Sequence, residues 1–563
     1  MKKPTSPGDA SLPSLSRRTL LGATAAAGAL AALDVRAQTP APQPAAPAAP
    51  APAAAAARFE LEEVTVAELQ ARMQAGRESA RSLTEKYLAR IRALDRTGPQ
   101  PLCSVIELNP DALALAEQLD AERKAGKVRG PLHGIPVLIK DNIATLDKMQ
   151  TTAGSLALVD AKPLRDAHVA ERLRAAGAVL LGKTNLSEWA NFRSTHSSSG
   201  WSGRGGQCRN PYALDRTPSG SSSGSGAAAA ANFCAVAVGT ETDGSIVSPS
   251  AANSLVGLKP TVGLVSRAGI IPISHTQDTA GPMARCVADA AALLSVLAGV
   301  DPRDKATAAS AGKAHPDYTK FLDPKGLEGA RIGVPRERFF GYHPDTDARA
   351  NEALAVMKAH GAVIVELKEL PNAAKLDDAE FEVLLFEFKA DLEAYLAELG
   401  PQSPVRTLAD LITFNDKNRA KEMPFFGQEL FEQAQKKGPL SDPRYKKALE
   451  TCRRNARMLG LDAVLKKHRL DALVTPTQAP PGPIDLVLGD HWLGSSSTPA
   501  AVAGYPSITV PAGYVHGLPV GVSFFGAAWS EPTLLKLAYA YEQASRLRRA
   551  PTFAASAQLQ PGA

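Results

Sequence analysis

Beyond residue 58 the chain alternates short runs of uninterrupted apolar residues with longer segments in which apolar residues recur every three or four positions. The first pattern is typical of strands buried on both faces, and the second of helices with one buried face. The predicted strands include 178–181, 235–238, 331–334, 363–365, 472–474 and 507–510, and the predicted helices include 166–176, 227–232 and 384–399. This alternation predicts the α/β class, with a sheet covered by helices on both faces.

Two helices near the start of this region are predicted to begin at capping boxes. Thr65 is followed three residues later by Glu68, and Ser82 by Glu85, each before apolar residues at helical spacing. In this motif the first side chain accepts from a backbone N–H of the first turn, and the carboxylate reaches back to the cap. We therefore expect helices that begin just after residues 65 and 82.

The first 37 residues have the composition of an export signal. Basic residues precede a modestly apolar stretch over 20–33, and a small-residue cleavage site follows at 35–37. Residues 16–21 (SRRTLL) resemble a twin-arginine signal, the alternative being an ordinary secretory signal with a chance Arg-Arg pair. The apolar stretch is too short and too rich in Ala and Gly for a stable membrane anchor. We expect export to the periplasm through the twin-arginine machinery, with residues 1–37 removed.

A segment of low complexity separates this signal from the rest of the chain. Residues 38–57 consist almost entirely of Pro and Ala, which predicts an extended linker. No second linker of this kind interrupts the sequence, so we expect residues 58–552 to form one large domain. Residues 553–563 are expected to form a flexible C-terminal tail.

Charge and cysteine usage exclude several classes of function. The chain has a net charge of +6, and its first 37 residues carry five basic and two acidic side chains, which leaves about +3 after export. A chain so close to neutral lacks the excess of positive charge that is typical of proteins that bind nucleic acid or an anionic membrane. The five cysteines show no metal-binding spacing, so we expect no metal or cofactor, and a structural disulfide is not favoured.

One segment matches a phosphate-binding motif to the letter. Residues 177–184 (GAVLLGKT) satisfy the P-loop pattern G-x-x-x-x-G-K-[ST]. A P-loop needs a strand before its first glycine and a helix at its end, whereas here a helix precedes Gly177 and the central residues predict a buried strand. Nucleotide binding is therefore not expected.

A second segment fits the nucleophile elbow of α/β hydrolases. Residues 220–224 (GSSSG) match G-x-S-x-G with Ser222 as the nucleophile, and His491 or His516 could supply the histidine. An elbow follows a strand, but the preceding residues 212–218 are polar and turn-like. The run also precedes an Ala-rich helix, so a role in capping that helix is a further alternative.

A third arrangement joins a lysine to two serine-bearing segments. Lys140 ends the apolar run 135–139, a serine–glycine run covers 219–226, and a glycine–serine pair follows at 244–245. A lysine is expensive to bury as an ammonium, and in its neutral form it can accept the proton of a serine hydroxyl. A second serine could relay this proton, and the turn 239–245 offers backbone N–H groups to an oxyanion. If these segments converge, the chain is a serine hydrolase that uses no histidine.

Several segments of the chain resemble the amidase signature family. The resemblance is carried by 133–142 and 219–261 and extends to 182–190, 502–506 and 517–522, so that it covers about residues 60 to 550. It also accounts for the P-loop-like match, which coincides with a strand and helix of the family. Within the family the chain is most similar to bacterial peptide amidases, at 187–192, 239–245 and 276–282.

This resemblance implies a fold and a set of site residues. The fold is a single large domain with a mixed central β-sheet covered by helices on both faces. Ser245 is implied as the acyl-forming nucleophile, Ser221 as a bridging serine in a cis peptide and Lys140 as the base. The implied oxyanion hole consists of the backbone amides of Thr242, Asp243, Gly244 and Ser245.

The nucleophile segment departs from the family at two positions. The family often has Gly-Gly-Ser-Ile-Arg, where this chain has residues 243–247 as Asp-Gly-Ser-Ile-Val. The missing arginine argues against recognition of a substrate carboxylate and suits a neutral amide. Asp243 places a carboxylate beside the nucleophile, where it could bind an amino group or tune the lysine.

The predicted function is hydrolysis of carboxamides through an acyl-Ser245 intermediate. The resemblance implies the C-terminal amide of a peptide as substrate, converted to the free acid and ammonia. The alternative is a broad-specificity amidase of small aliphatic or aryl amides with the same triad, and a non-catalytic binding module is a more distant one. The family also contains the subunit that amidates misacylated tRNA, but the predicted export signal and the near-neutral charge argue against that role.

Overall fold

The computed structural model describes residues 59–401 and 403–559. The predicted signal peptide (1–37) and Pro/Ala linker (38–57) lie outside the described residues. None of the described helices is both long and apolar enough to cross a membrane. The five cysteines are all unpaired.

The strands of the domain follow the buried apolar runs of the sequence. They are β1 (Val105–Leu108), β2 (Pro136–Lys140), β3 (Val179–Thr184), β4 (Trp201–Ser202), β5 (Gly206–Gln207), β6 (Val236–Glu241), β7 (Val256–Lys259), β8 (Thr279–Ala284), β9 (Arg331–Pro335), β10 (Val363–Leu367), β11 (Ala472–Pro476), β12 (Ser507–Val515) and β13 (Leu518–Phe525). All six predicted strands are present, as β3, β6, β9, β10, β11 and β12, but the edge strand β10 is not buried as expected, since Val363 is 44% exposed.

Eleven of these strands form one sheet, in the order β1-β3-β2-β6-β8-β7-β12-β13-β11-β9-β10. The pairs β3-β2, β2-β6, β11-β9 and β9-β10 are parallel, and the remaining pairs are antiparallel. The mixed sheet is therefore confirmed. The third and fourth strands of this order, β2 and β6, run parallel and adjacent, which brings their carboxyl ends to the same edge.

Helices pack against both faces of this sheet, as predicted. They are α1 (Val66–Gln74), α2 (Ala80–Leu94), α3 (Ala112–Lys124), α4 (His168–Ala175), α5 (Ser223–Ala230), α6 (Val247–Ala252), α7 (Val287–Leu297), α8 (Pro344–Ala359), α9 (Asp377–Glu398), α10 (Leu408–Lys417), α11 (Arg419–Glu422), α12 (Glu429–Gln435), α13 (Pro443–Arg453), α14 (Asp462–His468), α15 (Thr498–Ala503) and α16 (Glu531–Ser545).

One of the two predicted capping boxes is displaced. The Thr65–Glu68 box is present at the start of α1. Helix α2 instead begins at Ala80, where Ser79 and Ser82 cap each other reciprocally, so the predicted Ser82–Glu85 box is wrong. The earlier start is stabilised by Asp120, whose carboxylate accepts from the first two backbone N–H groups of the helix. This acceptor comes from α3, so local spacing could not reveal it.

The described part of the predicted C-terminal tail is attached to the domain. The backbone N–H of Phe553 donates to the carbonyl of Pro211, and the carbonyl of Ala554 accepts from the N–H of Leu214. The Ser556 hydroxyl donates to Asp215 at 2.6 Å. Packing therefore continues past the expected boundary at residue 552.

Candidate active site

Lys140 is the last residue of β2 and is fully buried. Its side-chain nitrogen lies within hydrogen-bond distance of Ser221 Oγ (2.8 Å), Thr240 Oγ1 (2.9 Å) and Ser222 Oγ (3.1 Å). Thr240 is in β6, and its hydroxyl also accepts from Asn142 Nδ2 at 3.0 Å. Lys140 therefore contacts both the serine–glycine run and strand β6, although both are far from it in the sequence.

The environment of Lys140 favours its neutral form. Burial lowers the pKa of this lysine from 10.5 to about 7, and the nearby carboxylates of Asp278 and Glu241 counteract only part of that effect. A buried amine loses the hydration that stabilises its charge, and hydroxyl partners replace that hydration incompletely. Near neutral pH a substantial fraction of Lys140 is thus able to accept a proton.

Ser221 follows a cis peptide bond from Gly220 and is completely buried. Its carbonyl accepts from the backbone N–H of Ser187. A Cβ added at Gly220 would lie 2.3 Å from Ser187 Oγ, so the close packing of these two segments requires glycine. The serine–glycine run is therefore a tightly packed element and not a flexible linker.

Ser245 lies in the turn between β6 and α6, at the wall of a cavity of about 330 Å³. It is 9% exposed, and its hydroxyl makes no hydrogen bond to another described residue. Its carbonyl accepts from the backbone N–H of Ser222 at 3.2 Å, which ties the turn to the serine–glycine run. Gly244 has φ of 78°, and a Cβ there would approach Ser248 Oγ and Ser497 Oγ at 3.0 Å. The turn thus needs glycine immediately before the serine.

The backbone N–H groups of this turn are available to a ligand. No described residue accepts from the N–H groups of the four turn residues Thr242, Asp243, Gly244 and Ser245, all of which line the cavity. The turn is instead fixed through its flanks. Glu241 Oε2 accepts from the N–H groups of Ile246 and Val247 at the start of α6. On the other side, Thr242 Oγ1 donates to Asp278 Oδ1 at 2.6 Å. An anionic oxygen in the cavity could accept from these preorganised donors.

Asp243 is paired with a second buried carboxyl group. Its carboxylate accepts from Thr498 Oγ1 at 2.6 Å and hydrogen-bonds to Glu380, which accepts from Gln277 Nε2 at 2.7 Å. Burial, reinforced by the neighbouring Asp243, raises the pKa of Glu380 well above its ordinary value. Two carboxyl groups can share a hydrogen bond only when one is protonated, so Glu380 serves as the donor. The charge of Asp243 is thereby held in place beside the nucleophile segment.

The alternative nucleophile Ser222 does not line the cavity. It is fully buried, and its hydroxyl donates to the Thr240 carbonyl at 3.0 Å while accepting from Lys140. Residues 208–222 contain no strand that an elbow could follow. His491 does line the cavity, but it makes no hydrogen bond to a serine within the described chain. The elbow hypothesis is therefore not supported.

The P-loop-like segment forms a strand, as its apolar residues predict. Lys183 lies fully buried within β3 and donates to the Ile143 carbonyl at 2.7 Å and to Thr151 Oγ1 at 2.8 Å. Its side-chain nitrogen joins two points of the loop that follows β2, and no backbone cradle for phosphate is present at this segment.

One group of side chains in the described ranges has the spacing of metal ligands. It consists of His275, Glu387 and Asp391. Their polar atoms are occupied, since Asp391 accepts from His275 and Glu387 accepts from Tyr445 Oη at 2.6 Å. These hydrogen bonds account for the cluster without a metal ion.

Sequence reasoning did not identify the residues that contact Lys140 or hold the turn before Ser245 in place. Asn142 and Thr240 belong to segments that carried the resemblance, but only the structure shows what they contact. Thr240 Oγ1 lies beside the Lys140 nitrogen and accepts from Asn142 Nδ2. Asp278 and Gln277 lie in another such segment, 276–282. Glu380 carried no signal, because it precedes the predicted helix 384–399 and nothing in its neighbourhood in the sequence marks one glutamate as buried.

Comparison with known proteins agrees with this geometry. A family model described as Amidase matches residues 82–535. The solved peptide amidase of Stenotrophomonas maltophilia is 55% identical, with a TM-score of 0.84 over 88% of this chain and 99% of that one. A peptide amidase solved with the competitive inhibitor chymostatin is also 55% identical, with a TM-score of 0.85 over 88% of this chain and all of that one. A probable amidase of Arabidopsis thaliana is 42% identical over 88% of this chain and 93% of its own length. The chain therefore belongs to the amidase signature family and is an amidase, a hydrolase of carboxamide C–N bonds.

Proposed function

We propose that this amidase converts the C-terminal carboxamide of peptides to a carboxylate and ammonia. The observation that carries the proposal is the charge of the cavity beside Ser245. Among the described residues that line it, the charged or ionisable ones are Asp243, Asp490 and His491, and none is lysine or arginine. A peptide ending in a free carboxylate would meet anionic groups and no counter-ion, whereas a neutral carboxamide would meet no such penalty. The 55% identity to peptide amidases supports the same substrate class.

The proposed roles follow from the contacts of Lys140. Neutral Lys140 accepts the proton of Ser245 Oγ through Ser221 Oγ, which is 2.8 Å from its nitrogen. Ser245 Oγ then bonds to the amide carbon, and the carbonyl oxygen becomes an oxyanion that accepts from the N–H groups of residues 242–245. The relay from Ser245 to Ser221 must close when substrate binds, because catalytic hydrogen bonds often tighten only in the complex.

Collapse of this intermediate breaks the C–N bond. Lys140, now protonated, returns the proton through Ser221 to the departing nitrogen, so that ammonia leaves and the acyl-Ser245 ester remains. Water then attacks the ester and loses its proton along the same path, and the final proton transfer restores Ser245 Oγ. The lysine ends each cycle neutral, as it began.

A panel of amides tests this substrate class. Ammonia release is measured for N-acylated dipeptide amides, for acetamide and for benzamide, with Ser245→Ala as the inactive control. We expect kcat/KM to be highest for the dipeptide amides, and peptide bonds inside the same substrates to stay intact. Turnover of the simple amides without turnover of any peptide amide would overturn the proposal in favour of the broad-specificity alternative.

A further inference from the structure

A long loop without regular structure borders the catalytic cavity. It covers residues 477–497, between the end of β11 and the start of α15. Its two ends are held together, since the backbone N–H of Ser496 donates to the Thr477 carbonyl and Gln478 forms an isolated bridge with Ser495. Loops of this length are uncommon in compact domains and are usually functional when they are ordered. We call residues 477–497 the rim loop.

The outer part of the rim loop exposes large apolar side chains. Val487 is 87% exposed, Leu488 78%, Trp492 64% and Leu493 44%. A folded domain seldom leaves several large apolar side chains together in water, and such a patch usually marks a binding surface. A tryptophan at such a position offers a large, rigid contact area to a ligand.

Trp492 lines two neighbouring cavities. It lines the cavity that contains Ser245, and it also lines a second cavity of about 400 Å³. Leu384 and Thr498 are likewise shared by the two cavities, so together these form one continuous cleft. The second cavity is further lined by Phe381, which is 37% exposed. The cleft thus leads from the nucleophile to an aromatic and aliphatic surface.

The charges of the second cavity largely compensate one another. Arg338 donates to Asp377 at 2.8 Å, and both side chains are exposed. Glu380, on the inner side, is the proton donor to Asp243 and therefore neutral. With its ions paired and its remaining carboxyl group protonated, this part of the cleft would select a ligand through apolar contact area.

We propose that Trp492, Phe381 and Leu384 form an outer subsite that binds an apolar side chain of the peptide substrate. The inference rests on the proposed function. When the carboxamide lies at Ser245, the amidated residue occupies the cavity that contains Ser245. From there the peptide continues in the N-terminal direction along the residues that line both cavities. The side chain in the outer subsite therefore belongs to the residue before the amidated one, and the subsite makes this residue a determinant of specificity.

The test compares peptide amides that differ only at that residue. The substrates are an N-acylated Phe-Ala amide, the matching Gly-Ala amide and N-acylated alanine amide, which lacks the residue altogether. The variants are Trp492→Ala, the conservative Trp492→Phe, and Leu488→Ala as the matched control. Leu488 is on the same loop and more exposed than Trp492, but it lines neither cavity.

Each outcome decides for or against the subsite. We expect Trp492→Ala to lower kcat/KM about tenfold for the Phe-Ala amide, mainly through KM, because remote apolar contacts contribute similar binding in the ground and transition states. The Gly-Ala and alanine amides should change less than about twofold, Trp492→Phe should restore most of the loss, and Leu488→Ala should match the wild type. Equal losses on all three substrates, an effect of Leu488→Ala as large as that of Trp492→Ala, or no effect of either would overturn the inference.

Failure of the subsite and failure of the proposed function give different results. If the wild type hydrolyses no peptide amide, the proposed function itself fails. If it hydrolyses all of them with no preference for Phe over Gly, only the subsite fails. Size-exclusion chromatography of the wild type and Trp492→Ala completes the test, because a change from dimer to monomer would assign the patch to a contact between copies of this chain and reject the subsite.

Discussion

The activity of this amidase should depend on pH through the protonation of Lys140. With burial holding its pKa at about 7, about half of the lysine is neutral at pH 7 and about 1% at pH 5. Only the neutral amine can accept the proton of the nucleophile. We therefore expect kcat/KM to fall about tenfold per pH unit below pH 6 and to reach a plateau above pH 8.

The size of this effect follows from the burial of the amine. Lowering the pKa from 10.5 to about 7 corresponds to about 5 kcal/mol of lost preference for the charged form. Between pH 7 and pH 10.5, Lys140 is protonated in the unfolded chain but neutral in the folded chain. The unfavourable contribution of this lysine to stability is therefore complete below pH 7 and disappears as the pH rises towards 10.5. In the proposed mechanism this cost keeps Lys140 neutral near pH 7, so that it can act as the base.

A single substitution tests whether Lys140 is the group that titrates. Asp278 raises the lysine pKa and so opposes the effect of burial. Asp278→Asn removes this charge, while its side-chain oxygen can still accept from the N–H groups of Ile273 and Ser274. We expect the acid limb of the pH profile to move to lower pH in the variant. Burial also raises the pKa of Asp278 itself to about 6, so its protonation should contribute to the same limb in the wild type.

The assay measures kcat/KM for one dipeptide amide by ammonia release from pH 5 to 10, for the wild type and Asp278→Asn. Two results would refute the reasoning. A tenfold increase per pH unit that continues from pH 8 to 10 would show a base with the ordinary pKa of a lysine. An acid limb that stays in place or moves to higher pH in the variant would show that a different group titrates.

Two further predictions concern residues beside the nucleophile. Ser222→Ala should still form a covalent phosphonyl adduct with a fluorophosphonate, with fluoride as the leaving group, seen by intact mass and mapped to Ser245. The variant should lose about 1–3 kcal/mol of stability because Lys140 and the Thr240 carbonyl lose a partner; loss of the adduct would revive the elbow hypothesis. Glu380→Gln should keep the hydrogen bond to Asp243 and leave kcat within about threefold, whereas Glu380→Ala should cost about 1–3 kcal/mol in denaturant unfolding. Equal stability of the two Glu380 variants would contradict a proton held between these carboxyl groups.

The sequence by itself determined the strands and the chemistry they could carry. Runs that are apolar throughout favour strands covered on both faces, so the strands and the α/β class follow from local pattern. Burial on both faces does not hold for the edge strand β10, where Val363 is 44% exposed. The apolar residues before a lysine at the end of such a run are enough to predict that its amine is buried. The same reasoning identified the P-loop-like segment as a strand, because Lys183 follows residues that cannot form an exposed loop.

The tertiary structure alone decided which of these groups meet and what surrounds them. Lys140 and Thr240 come together because β2 and β6 pair in parallel, a register that sequence spacing does not encode. The pKa of Lys140 depends on the burial supplied by the whole domain and on carboxylates from distant segments, so composition could indicate its direction but not its value. Glu380 and Trp492 acquire their proposed roles only through position, one beside Asp243 and the other between two cavities, since neither stands out within its own segment.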